Sequence, residues 1–295
     1  MKASDILAKE LMEVSESNQV NPFLRWTGSK RWLIKDYIND FLPTQFTNYH
    51  EPFLGGGAVF FYLKSINYNQ EHNYYLSDSN EELINCYIQL RDNIAAVLKH
   101  LRNFKNSEIE YYKIRNLSPK SDCKRAARFI YLNRTSFNGI YRVNSQGCYN
   151  VPYGHREKVD FVTSEQLNDI NNFLQGIVLK HTSFENNISS IHENDLVFID
   201  PPYTVAHENN GFIEYNQRLF SWEDQLKLKE FIREIINRKA YFILTNASHS
   251  SIYDLYQDIG SIVKLSRASQ VGGRNKTRGI YNELIVCNTK KSYGK

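Results

Sequence analysis

The sequence lacks the features that mark secreted, membrane-spanning and metal-binding proteins. Its four cysteines are far apart and fit neither a disulfide framework nor a zinc site, and its eight histidines form no paired ligand motif. No apolar run is long enough to cross a bilayer. The start, MKASDILAKELMEV, carries acids and no continuous apolar block, so we expect no signal peptide. These absences predict a reduced, cytoplasmic setting, no bound metal and no membrane partner.

The charge is also not strongly of one sign. The net charge of +4 allows a polyanionic partner without requiring one. With 295 residues, the chain can form one domain with an insertion or two domains. Aromatic residues are abundant, with 20 Tyr and 17 Phe, so some can stack on nucleobases while most fill the core.

A carboxylate followed by two prolines and a tyrosine is the stretch around which the chain is organised. Asp200-Pro201-Pro202-Tyr203 follows the apolar run 195–199, where open α/β sheets bind ligands. A carboxylate and a proline carbonyl can hold both hydrogens of an exocyclic amine and stabilise the positive charge that builds there during alkylation. Tyr203 can stack on a base pulled out of a helix. The alternative is a surface acid on a Pro-Pro turn.

A second signal is a glycine turn followed by an acid. The segment 51–57, EPFLGGG, lies between a short strand and a helix that begins at Ala58, a layout that lets a backbone approach a cofactor closely. Asp78 ends the next strand, 21 residues after Gly57 (78 minus 57). That is where α/β folds hold a ribose. The alternatives are an ordinary tight turn and, for Asp78, the cap of a helix that begins near Asn80.

A third signal lies upstream. Trp26-Thr27-Gly28-Ser29-Lys30 precedes an expected helix from about Lys30 to Phe41, with Ser29 as its cap. A helix start with a nearby lysine favours an anionic group such as a carboxylate. The alternative is a capped surface helix.

The middle of the chain changes character twice. Residues 80–134 are mostly helical, and we expect helices over 81–101, 108–115 and 123–133. Residues 133–154 are then rich in Asn, Arg, Tyr and Gly and resemble a hairpin with a Ser-Gln-Gly turn. Interleaved basic, amide and aromatic side chains suit contacts with base edges and phosphates. The alternative is a solvated loop.

The last third alternates helices and strands. We expect helices over 164–173 and 222–237, the second capped by Ser221, and strands over 177–180, 240–244, 259–264 and 280–288. The long polar segment 204–221 suggests a lid or substrate loop. Four basic residues, Arg267, Arg274, Lys276 and Arg278, suggest a loop that contacts phosphates, or else a solvated basic loop.

In this order the motifs resemble those of the Dam-type DNA adenine methyltransferases, which use S-adenosylmethionine. The resemblance covers about 22–290, in the alpha-type order of motifs, and its most specific part is Asn138-Gly139-Ile140-Tyr141-Arg142 with Asn150-Val151-Pro152. It implies an α/β fold, a Rossmann-like S-adenosylmethionine-dependent methyltransferase sheet with a mostly helical target-recognition insertion carrying a β-hairpin. The implied parts are an amino-terminal helical arm over 1–21, a catalytic domain over 22–80 and 160–295, and a DNA-binding insertion over 81–159.

The resemblance also implies residue roles. Catalysis falls to Asp200, Pro201, Pro202 and Tyr203. Cofactor binding falls to Trp26, Gly28, Lys30, Pro52, Phe53, Gly55, Gly57, Asp78, Phe184 and Asp200, with Lys30 towards the methionyl carboxylate, Asp78 on the ribose and Phe184 on the adenine. DNA binding falls to Arg134, Phe137, Asn138, Ile140, Arg142, Asn144, Pro152, Arg267, Arg274, Lys276 and Arg278, with Phe137 as a wedge and Arg142 reading guanine.

The implied function is methyl transfer to the exocyclic amine of a flipped adenine in double-stranded DNA, in a GATC-like palindrome. We expect a monomer encoded by a bacterium or phage, with a restriction endonuclease or other defence protein as a possible partner. Three alternatives remain: an RNA or cytosine amino-methyltransferase, a non-catalytic nucleic-acid-binding module of a defence system, and a nicotinamide-dependent oxidoreductase. The hairpin favours duplex DNA over RNA, and the oxidoreductase would leave the hairpin and basic loop unexplained.

Overall fold

The computed structural model describes residues 20–66, 72–157, 159, 163–204, 220–268 and 280–289. The chain divides into two compact units. The first comprises Met1–Ile34, Leu54–Gln70 and Ser77–His181, and the second comprises Lys35–Phe53, Glu71–Leu76 and Thr182–Lys295.

Seven strands form a single sheet in the order β3-β2-β1-β4-β5-β7-β6. The strands are β1 (Tyr49–Glu51), β2 (Tyr74–Asp78), β3 (Val178–His181), β4 (Leu196–Ile199), β5 (Tyr241–Ala247), β6 (Ser261–Ala268) and β7 (Ile280–Cys287). Strand β1 pairs in parallel with β2 and β4, and β4 pairs in parallel with β5, whereas β7 is antiparallel to both β5 and β6. The strand order reverses between β1 and β4, which makes their carboxyl ends the expected place for a ligand. The predicted α/β sheet is confirmed.

The described helices lie before and between these strands, five of them in a row between β2 and β3. They are α1 (Arg31–Asp36), α2 (Ala58–Ser65), α3 (Glu81–Asp92), α4 (Ile94–Leu101), α5 (Glu108–Arg115), α6 (Asp122–Thr135), α7 (Ser164–Leu174), α8 (Trp222–Asn237) and α9 (Ser250–Tyr256). The predicted Ser221 cap is confirmed, because its hydroxyl accepts from the Asp224 N–H and the Asp224 carboxylate accepts from the Ser221 N–H. The bounds predicted for α5 and α8 are also confirmed.

Several predicted boundaries are wrong, including the end of β5, which was expected at residue 244 and lies at Ala247. The helix expected over 81–101 is two helices, because Asn93 leaves the helical conformation with φ −137° and ψ 35°. The helix expected from Lys30 to Phe41 stops at Asp36 and is followed by a 3-10 turn, Ile38–Asp40. It starts at Arg31, so Lys30 rather than Ser29 precedes it. The strand expected over 259–264 begins at Ser261 and extends to Ala268, paired along its length with β7.

The core of the second unit lies around β4 and β5. All four residues of β4 are buried, as are six of the seven residues of β5. One face of α8 packs against them through Leu228, Ile232 and Ile235. This pattern explains why the run 196–199 is apolar throughout rather than alternating: a central parallel strand is covered on both faces.

The first unit has a core rich in tyrosine. Its buried cluster consists of Tyr111, Ile114, Tyr131, Leu132, Tyr149, Val151 and Tyr153. Each tyrosine hydroxyl also has an acceptor: Tyr111 on Val151 O at 2.8 Å, Tyr131 on Lys105 O at 2.8 Å, Tyr149 on Ile140 O at 2.7 Å and Tyr153 on Asn106 Oδ1 at 2.7 Å. The rings supply apolar area to the core, while three of the four hydroxyls hydrogen-bond to backbone carbonyl oxygens outside helices and strands.

Several predictions concern segments outside the described residues: the arm helix over 4–17, most of the polar segment 204–221, and the loop with Arg274, Lys276 and Arg278. Arg267 lies on β6, and only its backbone is described. In the described part of the chain, no helix is long and apolar enough to cross a membrane.

A buried carboxylate fixes the start of β4. Asp195 is fully buried, and its Oδ1 accepts from the backbone N–H of Asn48 at 3.1 Å and from the Asn48 side-chain amide at 2.8 Å. Its Oδ2 accepts from the His192 N–H at 2.9 Å and lies 3.0 Å from His50 Nε2. Burial alone would raise the pKa of this carboxyl, but the bonds from His50, His192 and Asn48 together lower it.

We predict that Asp195→Ala lowers the free energy of unfolding by about 3 kcal/mol, because it leaves buried donors without their acceptor. Urea unfolding at pH 7 measures this loss, and Asp195→Asn, which keeps one acceptor oxygen, should lose less. The pKa is lower in the folded protein, so the contribution is complete above the unfolded pKa of about 3.9 and disappears as the pH falls through the folded value. An Ala variant within about 0.5 kcal/mol of wild type would contradict the assignment.

Candidate active site

The Asp-Pro-Pro-Tyr turn leaves the carboxyl end of β4. Asp200 is half-buried, and its Oδ1 accepts a hydrogen bond from the Thr245 hydroxyl at 2.6 Å. Pro201 is buried and Pro202 is exposed. The register that pairs Ile199 with Leu244 brings Thr245 beside Asp200. The catalytic acid predicted from the sequence is therefore held in place by the next strand of the sheet.

Tyr203 is fixed through its hydroxyl. The Tyr203 hydroxyl donates to Glu283 Oε2 on β7 at 2.6 Å, and Glu283 is only 1 % exposed. Thr204, the next residue, is buried and accepts from the side-chain amide of Gln225 at 3.0 Å. Sequence reasoning missed Thr245 and Glu283, although a lone acid directly before the apolar run LIVC was a usable signal.

The two aromatic residues of the second unit that were predicted to bind the cofactor lie together. Phe53 stacks on Phe184 with ring centroids 5.3 Å apart, and both contact Phe220. Phe184 is 7 % exposed, so the protein itself covers most of its ring. Its contact with a cofactor adenine stays a prediction.

In the first unit, the glycine turn is bonded to Asp78. The Gly55 N–H donates to Asp78 Oδ2 at 2.9 Å, and the Asn80 N–H donates to Asp78 Oδ1 at 2.9 Å. Gly57 precedes α2 with φ 65°, in the left-handed region. Burial raises the pKa of Asp78, and the two backbone bonds oppose that rise. The alternative interpretation of Asp78 as a helix cap is wrong, because Asn80 caps α3 through Leu83 N–H.

Trp26 covers this turn, and Lys30 follows Trp26 closely in the sequence. A Cβ built on Gly55 would lie 2.6 Å from Trp26 Nε1, so the indole packs directly against the glycine backbone. The Lys30 side chain is buried and its ammonium donates to Gly28 O at 2.8 Å. Pro52, also predicted for this site, is buried.

The predicted hairpin has the expected turn but almost no ladder. Gly147 N–H donates to Asn144 O at 3.0 Å, which closes the Ser-Gln-Gly turn, yet antiparallel pairing is limited to the isolated bridges Ser136–Tyr153 and Val143–Tyr149. Thr135 and the two residues before it belong to α6. The hairpin predicted over 133–154 is therefore wrong in its first three residues, and two isolated bridges rather than a continuous ladder join its arms.

Most of the predicted DNA-contacting side chains of this segment are exposed. Phe137 is 51 % exposed. Asn138, Arg142, Asn144 and Pro152 are also exposed, and Ile140 is half-buried. We use the name reading segment for residues 136–154.

Three of the side chains predicted to contact DNA are engaged with the protein itself. The Arg142 Nε donates to Asn150 Oδ1 at 2.8 Å. Asn144 Oδ1 accepts from the N–H groups of Gln146 and Cys148 at 3.0 and 2.9 Å, so its carbonyl builds the turn. Arg134 lies in the last turn of α6 and donates to Phe23 O at 3.4 Å.

Asn133, absent from the predicted set, attaches the reading segment to residues near Trp26. Its Oδ1 accepts from Arg25 N–H at 2.8 Å, and its Nδ2 donates to Arg25 O at 2.7 Å and to Gly139 O at 3.1 Å. Tyr141 stacks on Trp26 with centroids 6.1 Å apart and planes at 21°. The indole thus contacts the glycine turn on one side and the reading segment on another.

Residues 26–270 match the family described as D12 class N6 adenine-specific DNA methyltransferase. The chain belongs to this family. It is 34% identical over 292 residues to the type II methyltransferase M1.LlaDCHI of Lactococcus lactis subsp. cremoris, covering 94% of this chain and 99% of that protein. It is 30% identical over 291 residues to the type II methyltransferase M.MjaIII of Methanocaldococcus jannaschii, covering 92% and 99%. It is 29% identical over 281 residues to the DNA adenine methylase of Escherichia coli (strain K12), covering 91% and 98%.

This D12-class methyltransferase is therefore an enzyme that methylates adenine in DNA. The resemblance drawn from the motifs is confirmed. Family membership decides against the alternatives of an RNA or cytosine enzyme, a non-catalytic module and an oxidoreductase. It also implies a methyl donor and a DNA substrate.

We predict that Gly55→Ala displaces the Trp26 indole, because the new Cβ and the φ of 47° both conflict with the present geometry. The tryptophan emission spectrum, measured in a background with Trp32→Phe and Trp222→Phe, should shift towards longer wavelength. Gly28→Ala is the matched control, since Gly28 has φ +84° but no atom within 4 Å of a Cβ. Equal spectra for the two alanine variants would contradict the packing of Trp26 on the turn.

Proposed function

We propose that the methyl donor is S-adenosylmethionine and that the first unit binds it through the glycine turn, Asp78, Lys30 and Trp26. The chemistry of these groups fits the donor. A buried ammonium at Lys30 suits a carboxylate. The Asp78 carboxylate accepts one backbone N–H on each oxygen, and its remaining lone pairs suit a pair of ribose hydroxyls. The turn at Gly55 and Gly57 lets backbone approach a ligand closely.

When bound, S-adenosylmethionine supplies an electrophilic methyl group on a sulfonium whose leaving group is a neutral thioether. The protein must hold the nucleophile of the substrate in the right place and state. The exocyclic nitrogen of adenine is a poor nucleophile, because its lone pair is delocalised into the ring. Groups that hold its two hydrogens favour a pyramidal nitrogen and stabilise the positive charge that develops there.

We assign that task to the Asp-Pro-Pro-Tyr turn. The Asp200 carboxylate and the Pro201 carbonyl accept the two amine hydrogens, while the Tyr203 ring stacks on the flipped base. Extruding a base costs a few kcal/mol, and stacking on an aromatic ring returns about 1–3 kcal/mol. The observation that carries this proposal is the Thr245–Asp200 bond at 2.6 Å, which fixes the carboxylate at the end of β4.

We predict that Asp200→Ala lowers methyl transfer by at least about 10³-fold, because the acceptor that stabilises the developing charge is lost. The measurement is transfer of labelled methyl from S-adenosylmethionine to unmethylated genomic DNA. DNA affinity, measured by gel shift, should stay within about threefold, since no phosphate contact is removed. Asp254→Ala, an exposed acid in the same unit, is the control and should transfer normally. Wild-type transfer by the Asp200 variant would overturn the assignment.

The reading segment is the proposed source of sequence preference. In this proposal Phe137, which is 51 % exposed, wedges into the base stack, and Asn138, Ile140, Arg142 and Pro152 contact bases. The Arg142 bond to Asn150 leaves its guanidinium on an exposed, oriented side chain. Such a fork suits bidentate contact with guanine, which gives about 1–3 kcal/mol of discrimination. We propose a GATC-like palindrome as the target. The residues proposed to contact the DNA backbone are Arg134, Asn144, Arg267, Arg274, Lys276 and Arg278.

We predict that Arg142→Ala relaxes the target sequence more than it weakens non-specific binding, because a base contact rather than a phosphate contact is lost. Single-molecule sequencing of methylated genomic DNA gives the preference at each position of the site. Lys113→Ala, an exposed cation on α5 of the same unit, serves as the control and should leave the preference unchanged. An equal loss on every DNA sequence would make Arg142 a phosphate contact instead.

We further propose that the protein acts as a monomer on duplex DNA, and that a cognate restriction endonuclease shares its target sequence. The second proposal rests on the relatives named type II methyltransferases.

A further inference from the structure

Two polar side chains of the sheet lie on one face beside the catalytic turn. Residues of β5 and β7 pair as Thr245 with Ile285 and Ala247 with Glu283. Directly opposed residues of antiparallel strands share a face, and so do alternate residues of one strand. Thr245 and Glu283 therefore project from the same face of neighbouring strands.

Each of these side chains bonds one end of the turn. Thr245 donates to Asp200 at 2.6 Å, and Glu283 accepts from the Tyr203 hydroxyl at 2.6 Å. The two intervening prolines have no N–H and a restricted φ, so the turn itself has little freedom between its ends. Side chains of β5 and β7 thus determine where the acid and the ring lie.

Stacking alone does not explain the hydrogen bond between the Tyr203 hydroxyl and Glu283. Stacking needs only the face of a ring, and phenylalanine would provide it. Burying a carboxylate is costly unless it is hydrogen-bonded, and Glu283 is only 1 % exposed. A hydroxyl that donates to a carboxylate forms a shorter and stronger bond than one between neutral groups. The hydroxyl and the buried acid together restrict the orientation of the Tyr203 ring.

We propose that Glu283 is a positioning residue for methyl transfer: it holds the Tyr203 hydroxyl so that the ring presents its face to the extruded adenine. Glu283 acts through Tyr203 and does not touch the reacting atoms. The inference rests on the proposed stacking role of Tyr203. It adds β7, a strand outside the sequence motifs, to the parts that set the geometry of the reaction.

Tyr203→Phe tests the bond while it keeps the ring. We predict that kcat falls about tenfold and that KM for DNA changes less than about twofold. The lost hydrogen bond affects the placement of the extruded base rather than the affinity for the duplex. A target site with 2-aminopurine in place of the adenine gives a second readout. Its fluorescence should be higher with the Phe variant than with wild type, because the extruded base stacks less well.

Variants of the acid complete the test. Glu283→Gln keeps an acceptor oxygen and should stay within about threefold of wild-type kcat. Glu283→Leu should match Tyr203→Phe, and the double variant should be no slower than either single one, because all three lack the same bond. If the Leu variant fails to fold, the Phe and Gln variants still decide the question.

A matched control separates positioning from general stability. Tyr131 is buried and donates its hydroxyl to Lys105 O at 2.8 Å, and neither residue is assigned to catalysis or binding. Tyr131→Phe also removes a tyrosine hydroxyl bond and should lower Tm about as much as Tyr203→Phe, without changing kcat. A tenfold loss of kcat in both variants would make the effect of Tyr203→Phe one of stability and would overturn the inference.

Tyr203→Ala distinguishes the inference from the proposal on which it rests. If Tyr203→Ala is slow while Tyr203→Phe keeps wild-type kcat, the ring matters and its anchor on Glu283 does not. If Tyr203→Ala also keeps wild-type kcat, the stacking role fails, and the positioning role of Glu283 fails with it.

Discussion

The pairing register of β4, β5 and β7 is the constraint on which the catalytic turn depends. Because side chains alternate along a strand, a slip of one residue between β4 and β5 would turn Thr245 away from Asp200. The same slip between β5 and β7 would turn Glu283 to the other face. The residues of β4 and β5 are buried on both faces, so such slips would also put side chains of the wrong shape into a close-packed core. The packing that stabilises the sheet therefore also fixes the positions of Asp200 and Tyr203 after the carboxyl end of β4.

Buried polar side chains next to the turn reinforce this register. Gln225 donates to Thr204 at 3.0 Å and accepts from Asn246 at 3.2 Å and Tyr256 at 2.8 Å. Each of these groups would be costly to bury alone. Satisfied together, they specify one arrangement of α8, β5 and the residue that follows Tyr203, where an apolar cluster would tolerate several.

The sequence predicted most of what depends on local pattern. The apolar run before Asp200, the bounds of α5 and α8 and the Ser221 cap all follow from periodicity and capping chemistry, which act over a few residues. The break at Asn93 did not, because the helical pattern continues across it. The partners Thr245 and Glu283 depend on strand order and register, and those are set by contacts between residues 45 and 80 positions apart.

The backbone of the reading segment is another feature that local sequence pattern predicted only in part. Its composition predicted a hairpin, but its backbone is held mainly by side chains: Asn133 clamps Arg25 and Gly139, while tyrosine hydroxyls bond the carbonyls of Ile140 and Val151. A regular ladder would have fixed which residues face outward in strict alternation. Here the anchors lie at the base of the segment, and exposed positions such as Asn138 and Arg142 contribute little to that core.

This difference separates two kinds of constraint in one enzyme. The catalytic turn is tied to the sheet through the side chains of two strands, so substitutions that move it also disturb the core or its buried polar groups. The exposed residues of the reading segment lie outside the buried tyrosine cluster of the first unit, and the packing of that cluster does not depend on which exposed side chains are present. In the roles proposed for them, Asn138, Arg142 and Pro152 can be substituted to change the target sequence while the placement of Asp200 and Tyr203 stays the same.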